Sequence, residues 1–271
     1  MHWLTAPFVL IYRVILRFGR ERYSQTAAAL SFATLLGLVP MLAIGAVLIE
    51  KLPFGIRLGA ALEDFILRTL LPEKAGAVIA KYLGQFAHQA EQVTWIGLSL
   101  LVLTALTQML TIEHAFNVIW QVKRRRPWFK RLGLHVLALV AGPLVFSAAL
   151  ASITFLASAS FGLVSDASGL RTVFFQLLSP VFLALLFGML YWGLPNRTVS
   201  MWHAGISGLL AAGALIGMQR LFALYVVKFP TYTLIYGAFS AMPIFLLWLY
   251  LSWSVILLGA LLTAEIPNLR R

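Results

Sequence analysis

A chain of 271 residues with 61% hydrophobic side chains, 11% charged ones and a mean hydropathy of +0.90 carries more apolar surface than one soluble core could bury. That excludes an ordinary water-soluble domain and makes lipid the expected solvent. A net charge of +12 would suggest nucleic acid in a soluble protein, but here most cations flank apolar runs, where they set membrane topology, so no nucleic-acid partner is expected.

The chain contains no cysteine, which removes disulfides, thiol catalysis and thiolate-bound metals. His2, His88, His114, His135 and His203 show neither HxH nor HxxxH spacing, so no metal site and no cofactor are expected.

In chain order, residues 1–22 hold an apolar run from Phe8 to Phe18 broken by Arg13 and Arg17 and closed by Arg20 and Arg22. The uninterrupted apolar part is too short to span a bilayer, and arginines four apart share one helical face. An amphipathic helix lying on the inner membrane surface is predicted. Residues 25–49 are apolar for long enough to cross the hydrocarbon core at 1.5 Å per residue, and form the first predicted span. Residues 50–93 mix acids and bases with apolar positions at helical spacing and break at Pro72, which predicts an external amphipathic segment.

The second span, 95–120, has a tryptophan at each end, as expected at headgroup level. It leads into Lys123, Arg124, Arg125, Arg126, Lys130 and Arg131, the cations expected to meet headgroups where a helix leaves the bilayer on its cytoplasmic side. Further spans are predicted at 132–157, 173–194, 203–227 and 238–264, giving an all-α polytopic protein of six transmembrane helices in a single membrane domain, 1–271. Bases at Arg13, Arg17, Arg20, Arg22, in the loop after the second span, and at Arg197, Arg270 and Arg271 outnumber those on the opposite side. Both termini are therefore expected in the cytoplasm.

Glu113 is the principal candidate site residue, because a carboxylate inside a span costs about 2.5 to 3.5 kcal/mol at the bilayer centre and takes a partner. It either ties the helix to an arginine of the following loop or serves as a substrate or proton site. Asn117 lies one turn on, His135 is three residues into the next span, and Gln25 and Ser31 open the first span at a similar depth. Together these five sketch a polar cavity on the inner side. Each of the amides and hydroxyls could equally make an interhelical hydrogen bond. Arg220, a cation within the fifth span, belongs nearer the outer face, where it could snorkel to headgroups, pair with an acid of the 50–93 segment or face a cavity.

Several stretches resemble one family: AAALSFATLLGLVP after Gln25; Glu113, Asn117 and Trp120 followed by Arg126-Pro127; Leu194 to Arg197, reading LPNR; and IYGAFSAMPIFLLWLYLSW with LLGA from Ile235 to Ala260. In this order they are similar to YihY/BrkB-type inner-membrane proteins, a group also labelled ribonuclease BN. The resemblance covers nearly the whole chain. It implies six helices, a bacterial inner-membrane location and a role in transport or envelope integrity; Phe32 stands where the family often has an aromatic hydroxyl.

A transporter or lipid- and envelope-handling protein of unknown substrate is thus the first expected function, and a non-transporting envelope scaffold the second. Membrane lipids, including anionic headgroups on the cytoplasmic side, are the expected partners, and a homo-oligomer is compatible with the sequence. A ribonuclease is the least favoured reading and no enzyme is expected, since the two aspartates, Asp64 and Asp166, have no neighbouring histidine with which to hold catalytic metals.

Overall fold

A computed structural model of the chain describes residues 2–50, 95–123, 126–129, 131–133, 135–136, 168–228 and 240–270. Among the described residues there are helices and no strand. They are α1 (His2–Arg20), α2 (Tyr23–Glu50), α3 (Trp95–Ile119), α4 (Ser168–Gly193), α5 (Met201–Lys228) and α6 (Ala241–Glu265), the last continued by a 3-10 turn, Ile266–Arg270. Long apolar stretches adopt helices because a helix satisfies its own backbone donors and acceptors where no water can.

Helices stand where the sequence predicts an interfacial helix and the first, second, fourth, fifth and sixth spans. All of the 50–93 segment but Glu50, the last residue of α2, and most of 132–157 lie outside the described residues. Met201–Val226 and Met242–Asn268 are long and apolar enough to cross a membrane, and Pro180–Gly193 is a shorter apolar stretch within α4. Pro243 sits in the first turn of α6, where its missing N–H removes no intrahelical bond.

The chain divides into two compact units, residues 1–35, 110–126 and 180–271 forming the first and residues 36–109 and 127–179 the second. In the first unit, α1 packs on α6 and its terminal turn, and α6 packs along α5. Small residues set the closest approaches. A Cβ on Gly208 of α5 would lie 2.6 Å from both Ala184 O and Gly188 N of α4. One on Gly259 of α6 would collide with the Tyr191 hydroxyl. Lipid tails are as apolar as leucine, so such backbone proximity, with the dispersion it allows, does the work that burial from water does in a soluble core.

Tyr191, fully buried on α4, fills the space left by Gly259 and donates to Ile256 O of α6 at 3.0 Å. Its ring also stacks with Phe116 of α3 and Phe187, with centroids 6.3 Å apart in each case. Trp253 of α6 donates its indole N–H to the Thr34 hydroxyl of α2 at 2.9 Å. Helices α2, α3, α4 and α6 are thereby joined by named contacts on apolar faces.

In the second unit, α2 and α3 meet where a Cβ on Gly37 would lie 3.2 Å from the buried side chain of Gln108.

Candidate functional site at the ends of α3 and α4

The C-terminal end of every helix leaves carbonyls without intrahelical partners, which following backbone N–H groups, side chains or water must meet. The end of α3 meets this need in full. Gln121 adopts the left-handed conformation at φ 50°. Its N–H bonds Val118 O at 3.0 Å while the next N–H, of Val122, bonds Asn117 O at 2.9 Å, the paired bonds of a Schellman motif. The two remaining carbonyls go to arginines. Arg17 of α1 donates to Ile119 O at 2.8 Å, and Arg197 donates to Trp120 O at 3.3 Å. Two cations thus lie against the negative end of the α3 dipole.

The end of α4 is capped from the other direction. Arg126 donates to Asn196 Oδ1 at 3.0 Å and reaches Gly193 O and Pro195 O at 3.5 Å. Asn117 Oδ1 accepts the backbone N–H of Asn196 at 2.8 Å, so the LPNR turn is fastened to α3 by a side chain as well as by arginines.

Asn117 also holds the main candidate. Its Nδ2 donates to Glu113 Oε1 at 3.3 Å, and the Glu113 side chain, one turn back, is buried with 1% of its surface exposed. A carboxyl group of that burial, the one acid of α3, is anchored by hydrogen bonds.

Arg17 is the second hub. It bonds Glu21 at 2.7 Å and Glu265, at the end of α6, at 2.9 Å, and Tyr23 donates to the other oxygen of Glu21 at 2.7 Å. Burial alone would lower the pKa of the Arg17 guanidinium, but the hydrogen bond from Arg17 to Glu21 and the charges of Glu21 and Glu265 raise it overall. Burial would likewise raise the Glu21 pKa, and the hydrogen bonds from Arg17 and Tyr23 outweigh it, leaving the carboxyl below the usual range. The Tyr23 phenol, ahead of the predicted first span, is pushed up by burial and by its bond to Glu21.

Of the residues singled out in the sequence, the structure joins Glu113 and Asn117. Ser31 is buried but gives its hydroxyl to Ala28 O of its own helix at 2.8 Å. Gln25 is exposed in the first turn of α2. His135 is buried in the second unit, its Nδ1 2.6 Å from Arg131 O one turn earlier. Arg220 is exposed on α5. Arg124, Arg125 and Lys130 lie outside the described residues, whereas Arg126 caps α4. Among the described residues, no three His, Asp or Glu side chains gather as a metal site would require.

Sequence reasoning missed Arg17, Glu21, Glu265, Asn196 and Arg197 as members of the cluster. The signal available for Arg17 was its position three residues after Val14, on the face that α1 buries. For Asn196 and Arg197 it was the LPNR turn itself.

The family model for Virulence factor BrkB matches residues 14–271. The UPF0761 membrane protein of Aromatoleum aromaticum is 47% identical over 98% of this chain and 65% of its own length. Those of an Azoarcus species and Nitrosospira multiformis are 44% and 41% identical over 93% and 97% of this chain, each over 62% of the relative. The chain therefore spans less than two thirds of the length of these relatives. No solved structure matches it. With a family model matching from within α1 to the last residue, and with relatives of this identity named as membrane proteins, the chain belongs to the BrkB family of membrane proteins.

Proposed function

We propose that this protein is a multi-pass protein of the bacterial inner membrane, with six spans and both ends of the chain in the cytoplasm, that transports or otherwise handles a lipid or envelope component through a step using Glu113. The observation carrying this reading is the buried carboxylate of Glu113, held by Asn117 at the point where α3 is fastened to the turn after α4. An ionisable group at that joint can change charge, and with it the hydrogen bonds that hold two helix ends together.

A second reading, an envelope scaffold without transport, draws on the arginine caps. Arg17, Arg126 and Arg197 tie helix ends together, which is what a rigid scaffold needs.

The substitution Glu113→Gln separates the two. Glutamine offers the same carbonyl oxygen to Asn117, so the fold should survive while the charge is lost. Complementation of a strain lacking the gene is then scored by its sensitivity to detergent, against protein abundance in the membrane. Loss of complementation at normal abundance supports a site. Complementation that simply follows abundance rejects the functional role of Glu113 and leaves the scaffold.

A further inference from the structure

Helix α1 has three distinct faces. Val14 and the partly buried Arg17 and Phe18 turn inward, toward the α6 end and the last residue of α3. Phe8, Ile11, Tyr12 and Ile15 form a stripe about a third of a turn round the helix from that inward face and are exposed, from 53% at Ile11 to 75% at Phe8. Between these faces, Arg13 and Arg20 form an exposed basic edge, which Arg22 extends past the helix end. The helix contains no acid, and Glu21, the first after it, is already engaged by Arg17 and Tyr23.

We propose that this outer face of α1 is a docking surface for anionic phospholipid, the apolar stripe entering the acyl boundary and Arg13, Arg20 and Arg22 receiving headgroup phosphates. Charge complementarity selects this occupant. A soluble protein partner would have to cover a stripe of bulky apolar side chains and supply acids along one edge only. An anionic leaflet offers both at once, at the depth difference that a surface-lying helix requires. Arginine suits the role because its planar fork bonds phosphate oxygens in pairs. The inward face gives the contact a consequence. Arg17, on the same helix, holds the final carbonyl of α3 and the Glu265 carboxylate, so a lipid seated on α1 also steadies the helix ends around Glu113. The lipid contact itself does not depend on what Glu113 does.

The test uses the full chain, purified from nanodiscs of mixed phosphatidylglycerol and phosphatidylcholine, and measures the ratio of the two lipids retained. Wild type should be enriched in phosphatidylglycerol. The triple variant Arg13→Gln, Arg20→Gln, Arg22→Asn should reduce that enrichment by about fivefold or more, because one interfacial arginine is worth roughly that factor. These side chains are exposed, so thermal unfolding of the variant in detergent should match wild type and exclude misfolding as the cause. In addition, Ile11→Ser with Ile15→Ser should weaken retention of both lipids. Equal retention of the two lipids by wild type would overturn the proposal. So would an enrichment that persists in the triple variant and disappears only when the cations from Lys123 to Arg131 are replaced.

Discussion

Replacing Arg17 by methionine keeps most of the apolar stem and deletes the guanidinium, so it isolates the polar contacts of the hub. Three bonds are lost, to Glu21, to Glu265 and to Ile119 O. The first is worth little, since Glu21 is 39% exposed and keeps its bond from Tyr23. The other two differ in kind: Glu265 retains only 14% of its side-chain exposure, and Ile119 O sits at a helix end whose neighbouring carbonyls are already arranged. Breaking a part-buried pair whose carboxylate keeps a bond from Asn268 at 3.1 Å, together with orphaning a carbonyl, should destabilise by about 3 kcal/mol. That corresponds to a fall in Tm of roughly 6–10 °C for a chain of this size. The assay is thermal unfolding in detergent, run as a double-mutant cycle with Glu265→Gln. With Arg17 already gone, the second substitution should cost little, giving a coupling above about 1 kcal/mol. A loss in Arg17→Met below about 0.5 kcal/mol, or strict additivity with Glu265→Gln, would refute the hub.

Gln121→Gly should stabilise by about 1 kcal/mol, because the side chain is exposed and glycine removes the steric penalty of a left-handed backbone at φ 50°; unfolding in detergent measures it, and no change would argue against the cap. Gly208→Ala should destabilise by about 1–3 kcal/mol, since the new methyl would meet backbone atoms of α4 that cannot turn aside; retained stability in the same assay would refute the close approach of α4 and α5. For pH, the Glu21 carboxyl titrates below its ordinary value of 4.5. The stability it contributes is therefore complete above that value and lost as pH falls through the lower, folded one. The difference in Tm between wild type and Glu21→Gln should be constant from neutral pH down to about 5 and shrink below it. A difference that grows on acidification would contradict the bonds to Arg17 and Tyr23.

Helix positions were the most legible part of the sequence, because twenty or more apolar residues in a row allow little else in lipid. The amphipathic character of α1 could also be read, since arginines interrupt its apolar run at helical spacing. What the spacing could not provide was Arg17's partners. A helical wheel assigns a face but not the neighbours, and Ile119 O and Glu265 lie 102 and 248 residues away. Glu113 and Asn117 were found because both lie on one helix, four residues apart. Gln25 was grouped with them by depth alone, and depth does not specify azimuth: its neighbour in the cluster, Tyr23, turns inward while Gln25 is exposed. Arg17, Arg126 and Arg197 are both topology signals in the sequence and helix caps in the structure, because a cation at the C-terminal end of a helix can serve both purposes with the same charge.

All of these functional proposals rest on the capped ends of α3 and α4 facing the cytoplasm, and the absence of native cysteine allows this to be tested with single introduced thiols. Lys123 is exposed just beyond α3, and His88 lies in the segment expected outside. In intact cells treated with a membrane-impermeant thiol reagent, His88→Cys should be labelled and Lys123→Cys should be labelled only after the membrane is opened. Labelling of Lys123→Cys from outside would contradict the orientation and with it the cytoplasmic placement of Glu113.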